Sequence, residues 1–512
     1  MSDKDLMREY CINDVEVMRA AGRRMRDLTP EEWEEYHLTC RINQRGLPVD
    51  VPLCKAAVSR MDRSANEAND VIQKLTGGKM MKHTERKSRD AWLYPKLTPL
   101  QIKSITDERT GKRSLDKDRR AILIQTYGID EDAKELLQAI DDAGSSALKK
   151  YAVALHTHIG GRVFNTFQFN GAGTGRFSGR GLQPHNMRRD AYSPEEAEAL
   201  AQAVIAGEPI ENVSNVMARL LRGMLLHEMG IYFVDWSSIE GRVAPWLANS
   251  SHGEARLELY RNKMDVYKVT AALMIYKNAD YMDRVTPEDR QIGKIAELSL
   301  QFGGTKRALQ SMAKKFDVHF SDAAAMGHVE NWQRTNPWAL DSWVAFEEGA
   351  KRAVMHPNTD FRVGRCTFRA YQLVEENFSR FLWLQLPSER ILAYPMPRYG
   401  MVETPWGTSR KASFQTSLTP AKGEPPIRHV LRGSLLFQNA TQAVAADCLR
   451  ESLLCADSEG LDIVGHVHDE IIGLGPREDG ERLNNIMLEQ PWWADGLPLD
   501  TGGVSWGKRY GK

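Results

Sequence analysis

The spacing of apolar residues changes rhythm several times along this 512-residue chain. The first 30 residues are charged and helical in pattern, with Tyr10 and Asp14 four apart on one face. Thr29-Pro30-Glu31-Glu32 predicts a second helix, with Thr as N-cap, Pro at the first position and acids in the first turn. Gly46 and Pro48 end it, and from about 52 to 160 the period stays mostly helical, interrupted by a breaker-rich stretch around 94–115. Residues 188–222 are helical again. The period then drops to that of a strand in Gly230-Ile231-Tyr232-Phe233-Val234-Asp235, an apolar run that ends in an acid. Thr286-Pro287-Glu288-Asp289 opens a further helix that runs toward Gly303. Residues 325–380 are expected to be helical around Trp332, Trp338 and Trp343, and 386–408 to alternate as strands between Pro and Gly turns. Residues 438–447 return to helix. Between Ile463 and Gly473 two β-branched runs flank His466-Val467-His468-Asp469, which predicts strand–turn–strand with Asp469 at or near the tip.

Composition narrows the class without choosing a function. A hydrophobic share of 42% and a charged share of 27% belong to an ordinary globular protein, and the length allows about three structural regions. Lys plus Arg equals Asp plus Glu at 68 each, so net charge gives no hint of nucleic acid, although a local basic cleft is compatible with neutrality. The six cysteines include no CxxC pair, which argues against structural zinc and for reduced, buried thiols. No signal peptide and no apolar run of membrane length appears, so a cytoplasmic protein with no membrane partner is expected.

Four stretches carry chemistry. Asp235 at a strand end and Asp469 on a distant hairpin could together hold two Mg²⁺ ions, with Mn²⁺ as the alternative, for phosphoryl transfer. Solvated acids at a turn would look similar in either stretch alone. Arg290, Lys294, Leu298 and Phe302 recur every fourth residue, so two cations and two apolar side chains share one helical stripe that suits a nucleoside triphosphate. Between Phe167 and Asn186 lies a glycine-rich run with Arg176 and Asn186 among anchoring phenylalanines, where backbone approaches something closely.

These stretches resemble the signature motifs of family A DNA polymerases, particularly the phage-type members. Asp235-Trp236-Ser237-Ser238-Ile239-Glu240-Gly241-Arg242 resembles motif A, Arg290 to Gly303 resembles motif B, and Val467-His468-Asp469-Glu470 resembles motif C, in the family's order. The resemblance covers roughly residues 30 to 512. It implies an α+β right-hand polymerase, with an antiparallel palm sheet and helical fingers and thumb. Residues 1–30 would be the remnant of a 3′–5′ exonuclease domain, 31–160 the thumb and linking helices, 161–250 the first part of the palm, 251–385 the fingers, and 386–512 the second part of the palm.

The resemblance also distributes roles. Asp235, Asp469 and the Trp236 backbone carbonyl would hold the metals, and Arg290 and Lys294 would neutralise the triphosphate, with Lys294 also protonating the leaving pyrophosphate. Leu298, Phe302 and Glu240 would meet base and sugar, Glu240 as the steric gate against ribonucleotides. Arg176, Asn186, Gln442, Asn439 and His468 would contact primer-template DNA, with Glu470 supporting the acids. Leu298 stands where cellular members of the family carry Phe or Tyr, Phe302 stands where the family usually has Tyr, and Trp236 replaces a tyrosine. The basic clusters Lys79, Lys82, Arg86, Lys87 and Arg89 suit phosphate contacts in a thumb, as they would a solvated helix face. Tyr10 and Asp14 resemble the last exonuclease motif, but the other acids of such a site are missing, so proofreading is expected to be absent. The expected function is template-directed extension of a primer with dNTPs in phage DNA replication, with partners such as a separate exonuclease chain or other phage replication proteins. A non-catalytic primer-template-binding replication factor and a single-subunit RNA polymerase are the alternatives.

Overall fold

The Thr-Pro-acid helix starts form as their local chemistry dictates. In the computed structural model, which describes residues 3–23, 27–107, 111–143, 148–371, 381–404, 407–415 and 427–511, Thr29 closes a capping box with Glu32. The Glu32 amide donates to the Thr29 hydroxyl at 3.2 Å, and the Thr29 amide donates to the Glu32 carboxylate at 2.9 Å. The N-terminal region is helical as expected: α1 (Asp3–Gly22), α2 (Pro30–Arg45), α3 (Val51–Leu75), α4 (Glu131–Asp142), α5 (Lys149–Thr157) and α6 (Pro194–Ala206), with shorter helices between. Helix α1 buries none of its residues. Helix α3 spans two cores. Leu53, Cys54 and Ala57 belong to the main core, whereas Ala68 and Ile72 join a smaller one with Leu93, Leu123, Leu136 and Leu137.

Strand β1 (Leu226–Trp236) leads into a helical block: α7 (Ile239–Ala248), α8 (Ser251–Arg261), α9 (Val266–Ile275), α10 (Pro287–Leu300), α11 (Lys306–Lys314), α12 (Asp322–Thr335) and α13 (Pro337–Met355). The expected helix over 325–380 ends at Met355. Strands β2 (Phe361–Val363), β3 (Cys366–Tyr371), β4 (Phe381–Gln385) and β5 (Ile391–Pro395) follow as a four-stranded antiparallel sheet in that order. Buried and half-exposed residues alternate strictly along β3, with Cys366, Phe368 and Ala370 inward, which is a period no helix can use. A boundary at 385 would therefore cut the β4–β5 hairpin, and residues 372–380 lie outside the described set. A second sheet contains β6 (Arg398–Thr404), β7 (Gly407–Gln415) and β8 (Arg428–Val430).

Helix α14 (Gly433–Ser458) crosses the main core and precedes β9 (Asp462–Val467), β10 (Glu470–Leu474), α15 (Arg477–Leu488) and β11 (Thr501–Arg509). The central sheet runs β9-β10-β1-β11, antiparallel throughout. One face takes α15, onto whose Met487 carbonyl the Trp236 indole N–H donates at 2.9 Å. The last strand is pinned by Arg509, which is 1% exposed and pairs with Asp50 and Glu198, both at 2.6 Å. Cys54, Cys366 and Cys448 are buried as expected, but Cys11 is exposed and Cys40 and Cys455 are half-buried. Among the described residues no helix is long and apolar enough to cross a membrane.

Candidate active site

Strand pairing brings the two distant acids together. Asp235 lies directly opposite Glu470 in the β1–β10 ladder, and the Trp236 amide donates to the Asp469 carbonyl at 3.3 Å. The strand ends there because Ser238 turns left-handed at φ 55° and caps α7. His468 adopts φ 60° in the β9–β10 turn, which sets Asp469 at the tip as expected. Glu470, expected to support the acids, is only 1% exposed, and its carboxylate meets the Arg222 guanidinium at 3.4 Å and the Tyr510 hydroxyl. Burial, with Glu470 and Asp235 nearby, pushes the Tyr510 hydroxyl well above its ordinary range, so it remains a donor. Glu470 thus faces a sealed network beneath the site and is absent from the cleft wall.

A cleft of about 470 Å³ opens over the acids. Nine of the expected residues line it: Arg176, Asp235, Trp236, Glu240, Lys294, Leu298, Phe302, His468 and Asp469. Lys294 and Leu298 project from α10, which starts with a capping box between Thr286 and Asp289. The helix lies close on its neighbour: a Cβ on Gly293 would sit 2.2 Å from the Tyr267 carbonyl oxygen, so only glycine permits this approach. Arg290, one turn earlier, lies off the cleft wall and pairs with Asp265 at 2.6 Å. On the same helix, Glu297 is held by Arg256 at 2.6 Å, Thr270 at 2.8 Å and the Trp332 indole at 2.9 Å.

Glu240 is held from two sides. Its carboxylate forms an ion pair with Arg176, and its carbonyl accepts from the Gln301 amide at 2.9 Å. Arg176 reaches it from the glycine-rich loop, whose backbone two arginines clamp, Arg450 buried and Arg390 half-buried. Arg390 donates to the Thr174 carbonyl at 3.1 Å, and Arg450 donates to the Gly175 carbonyl. Gly175 has φ 78°, and a Cβ there would fall 2.2 Å from the Arg390 guanidinium, so this glycine is required twice over.

A histidine stack joins the same loop to the hairpin. The His466 ring lies between Phe167 and Phe177, with ring centroids 4.5 and 4.4 Å away, and His185 packs on both His466 and His468. His468 Nε2–H donates to the His185 carbonyl at 3.1 Å. Burial drives His466 well below its usual value and His185 down to about 4, so both rings stay neutral near pH 7.

Other expected contacts are placed elsewhere. Asn186 is exposed and its amide donates to Gln183 at 2.8 Å. Asn439 donates to the Tyr394 hydroxyl at 3.0 Å, and Gln442 is half-buried on α14; neither lines the cleft. Conversely, Arg189, Tyr260, Tyr267, Glu297 and Gln301 line it without having been singled out from sequence. Gln301 sits inside the quoted motif and was within reach, whereas Tyr260 and Tyr267 stand in helices with no distinguishing pattern.

Two carboxylates at adjacent strand ends fit a hard divalent cation. Mg²⁺ characteristically takes one or two protein carboxylates and completes its shell with water and substrate phosphates. Among the described residues no group of three or more His, Cys, Asp or Glu is placed to hold a metal.

No protein-family model matches the chain. It is 31% identical over 509 residues to the DNA polymerase of Bacillus phage SP02, across 96% of this chain and 73% of that protein. It is 26% identical over 339 residues to DNA polymerase I of Aquifex aeolicus (strain VF5), across 61% of this chain and 51% of that protein. Among solved structures it resembles the POL domain of Pol1 from M. smegmatis in complex with DNA primer-template and dNTP. The TM-score there is 0.61 at 18% identity, over 94% of this chain and 70% of that one. Sheet, helical block and cleft together define a right-hand polymerase with palm, fingers and thumb. With this chain matched along nearly its whole length to about three quarters of the SP02 enzyme, it belongs to the family A DNA polymerases, on the phage side, and is a DNA-directed DNA polymerase.

Proposed function

We propose that this chain extends a primer 3′ end with dNTPs on a DNA template by two-metal phosphoryl transfer, in phage DNA replication inside the host cytoplasm. The observation that carries the reading is the meeting of Asp235 and Asp469 with Lys294 and Glu240 around one cleft. Asp235 and Asp469 would hold two Mg²⁺ ions, or Mn²⁺ in their place, with the Trp236 carbonyl as a further oxygen ligand. Bound there, such ions would activate the primer hydroxyl and stabilise the pyrophosphate.

The protein's own groups do the rest. Lys294 faces the cleft as a preorganised cation for the triphosphate and as a proton donor to the leaving pyrophosphate. Arg290 extends the positive stripe one turn outward once released from Asp265. Phe302 and Leu298 present apolar surface for base and sugar, and Glu240 closes the space a 2′-hydroxyl would need. His468 and Arg176 lie where a primer end enters, while Gln442, Asn439 and Asn186 serve DNA contact only from outside the cleft. In domain terms, we read 31–160 as thumb, 161–250 and 386–512 as palm, and 251–385 as fingers, with the 361–395 sheet straddling that last boundary.

Helix α1, with Tyr10 and Asp14, is exposed along its described length and offers one acid of the motif there. No 3′-end degradation by this chain is therefore expected, and a labelled-primer assay without dNTPs tests this.

The deciding experiment is primer extension with Mg²⁺, comparing dNTPs with NTPs beside an Asp469→Ala variant. Extension with dNTPs alone, abolished in the variant, is expected. Duplex binding without extension would instead favour a replication factor, and extension with NTPs an RNA polymerase.

A further inference from the structure

The chain as a whole balances 68 basic residues against 68 acidic ones, yet residues 361–432 carry eleven Lys and Arg against five Asp and Glu. Among the described residues of this stretch, which build the two small sheets between α13 and α14, nine Lys and Arg stand against two Asp and Glu, in a region to which the reaction assigns no role. In the β2–β5 sheet the inward positions are ordinary core: Phe368, Leu382, Leu384 and Leu392 are at most 4% exposed. The outward positions have another character. Tyr371 pairs with Phe381, and Arg369 with Trp383, in register across β3 and β4. All four are half-buried, and Arg362 on β2 is exposed. The Tyr371 and Trp383 rings lie 4.1 Å apart, and the Arg369 guanidinium covers Tyr371 at 4.8 Å.

Half-buried rings edged by arginine, on a sheet with a local positive excess, have one natural ligand. Unpaired bases stack on aromatic faces while their phosphates meet guanidinium groups, and bases inside a duplex cannot reach such a surface. The sheet is also rooted beside the active cleft. Its β4–β5 turn is tied to Asp447 of α14 by Ser388 at 2.6 Å and Arg390 at 2.5 Å, and Arg390 holds Thr174, two residues from Arg176. We propose that the outer face of β2–β5 is a binding platform for single-stranded DNA, the unpaired template strand. The template assignment rests on the polymerase reading; single-strand binding by this face does not.

The test uses the full chain and a fluorescent oligo(dT), read by anisotropy while an unlabelled short-overhang primer-template saturates the cleft. The parent is expected to bind the oligo(dT), Trp383→Ala about tenfold more weakly, and Trp383→Phe within about twofold because a ring remains. Arg362→Glu, at an exposed position where folding is not at issue, is expected to weaken binding severalfold and flatten its salt dependence. Extension on short-overhang templates should be unchanged in all three. If the parent ignores the oligo(dT), or if Arg362→Glu and Trp383→Ala bind it like the parent, the platform is not a single-strand site and a protein partner becomes the better occupant. Intact oligo(dT) binding with no primer extension by the parent would sink the polymerase reading and leave the platform standing.

Discussion

Arg176 and Glu240 hold each other across the cleft, so the position of the proposed sugar gate depends on a residue in a different segment. Glu240→Ala should raise insertion of ribonucleotides relative to deoxyribonucleotides by on the order of tenfold or more. Arg176→Ala should move the ratio the same way by less, because it frees the carboxylate without removing it. Single-turnover insertion of matched dNTP and NTP measures both, and an unchanged ratio in Glu240→Ala would overturn the gate. Glu35 gives a second residue-scale prediction. Burial raises its carboxyl from 4.5 to about 7 although Arg450 is 3.5 Å away. Between those pH values the unfolded chain gives up a proton that the folded chain keeps, so folding loses about 3 kcal/mol as pH rises through 7. Glu35→Gln should therefore gain melting temperature over the parent increasingly between about pH 5 and about pH 8. The histidine stack has the opposite sign. His185, held down at about 4 from 6.5, withdraws stability as the pH falls through that window.

At the scale of elements, α10 is the part whose placement matters most, and a buried ion pair sets it. Arg256 and Glu297 are 6% and 7% exposed, and Glu297 also accepts from Thr270 and Trp332. Removing one partner leaves the other charged and buried, so Glu297→Gln should destabilise by about 3 kcal/mol in urea unfolding. Because Lys294 and Leu298 share that helix, the dNTP KM should rise with it, whereas a purely structural loss would leave KM of the folded fraction alone. Most of this architecture was legible in the chain. The capped helix starts, the strand ending at Asp235 and the hairpin bearing Asp469 all announce themselves through local signals, and all three form. What escaped reading depends on distant partners. Nothing near Glu470 says that Arg222 and Tyr510 will enclose it, and nothing near Asn439 points to Tyr394. The β3 strand reads as helix in the sequence because the tryptophan-rich helix before it masks the change to period two in Cys366–Tyr371.

At the scale of the molecule, two cores meet along a single helix. The main core runs unbroken from the central sheet through the helical block, whereas Ile72, Leu93, Leu123, Leu136 and their neighbours form a separate one that, among the described residues, shares only α3 with it. Apolar burial is cooperative within a contiguous core and much less so between cores joined by one element. The proposed thumb, if it grips a duplex as the polymerase reading requires, would draw on that independence. Leu136 is fully buried in the small core, so Leu136→Ala should cost that unit about 2–5 kcal/mol. Hydrogen exchange should then quicken in the segments that build it, α4 and the C-terminal half of α3, while β1, β9 and β10 stay protected. Single-nucleotide insertion on pre-bound primer-template should be nearly unchanged, and processive extension should shorten because the grip fails between steps. A matching loss of protection in the central sheet would show instead that the two cores unfold as one, and that the thumb borrows its stability from the palm.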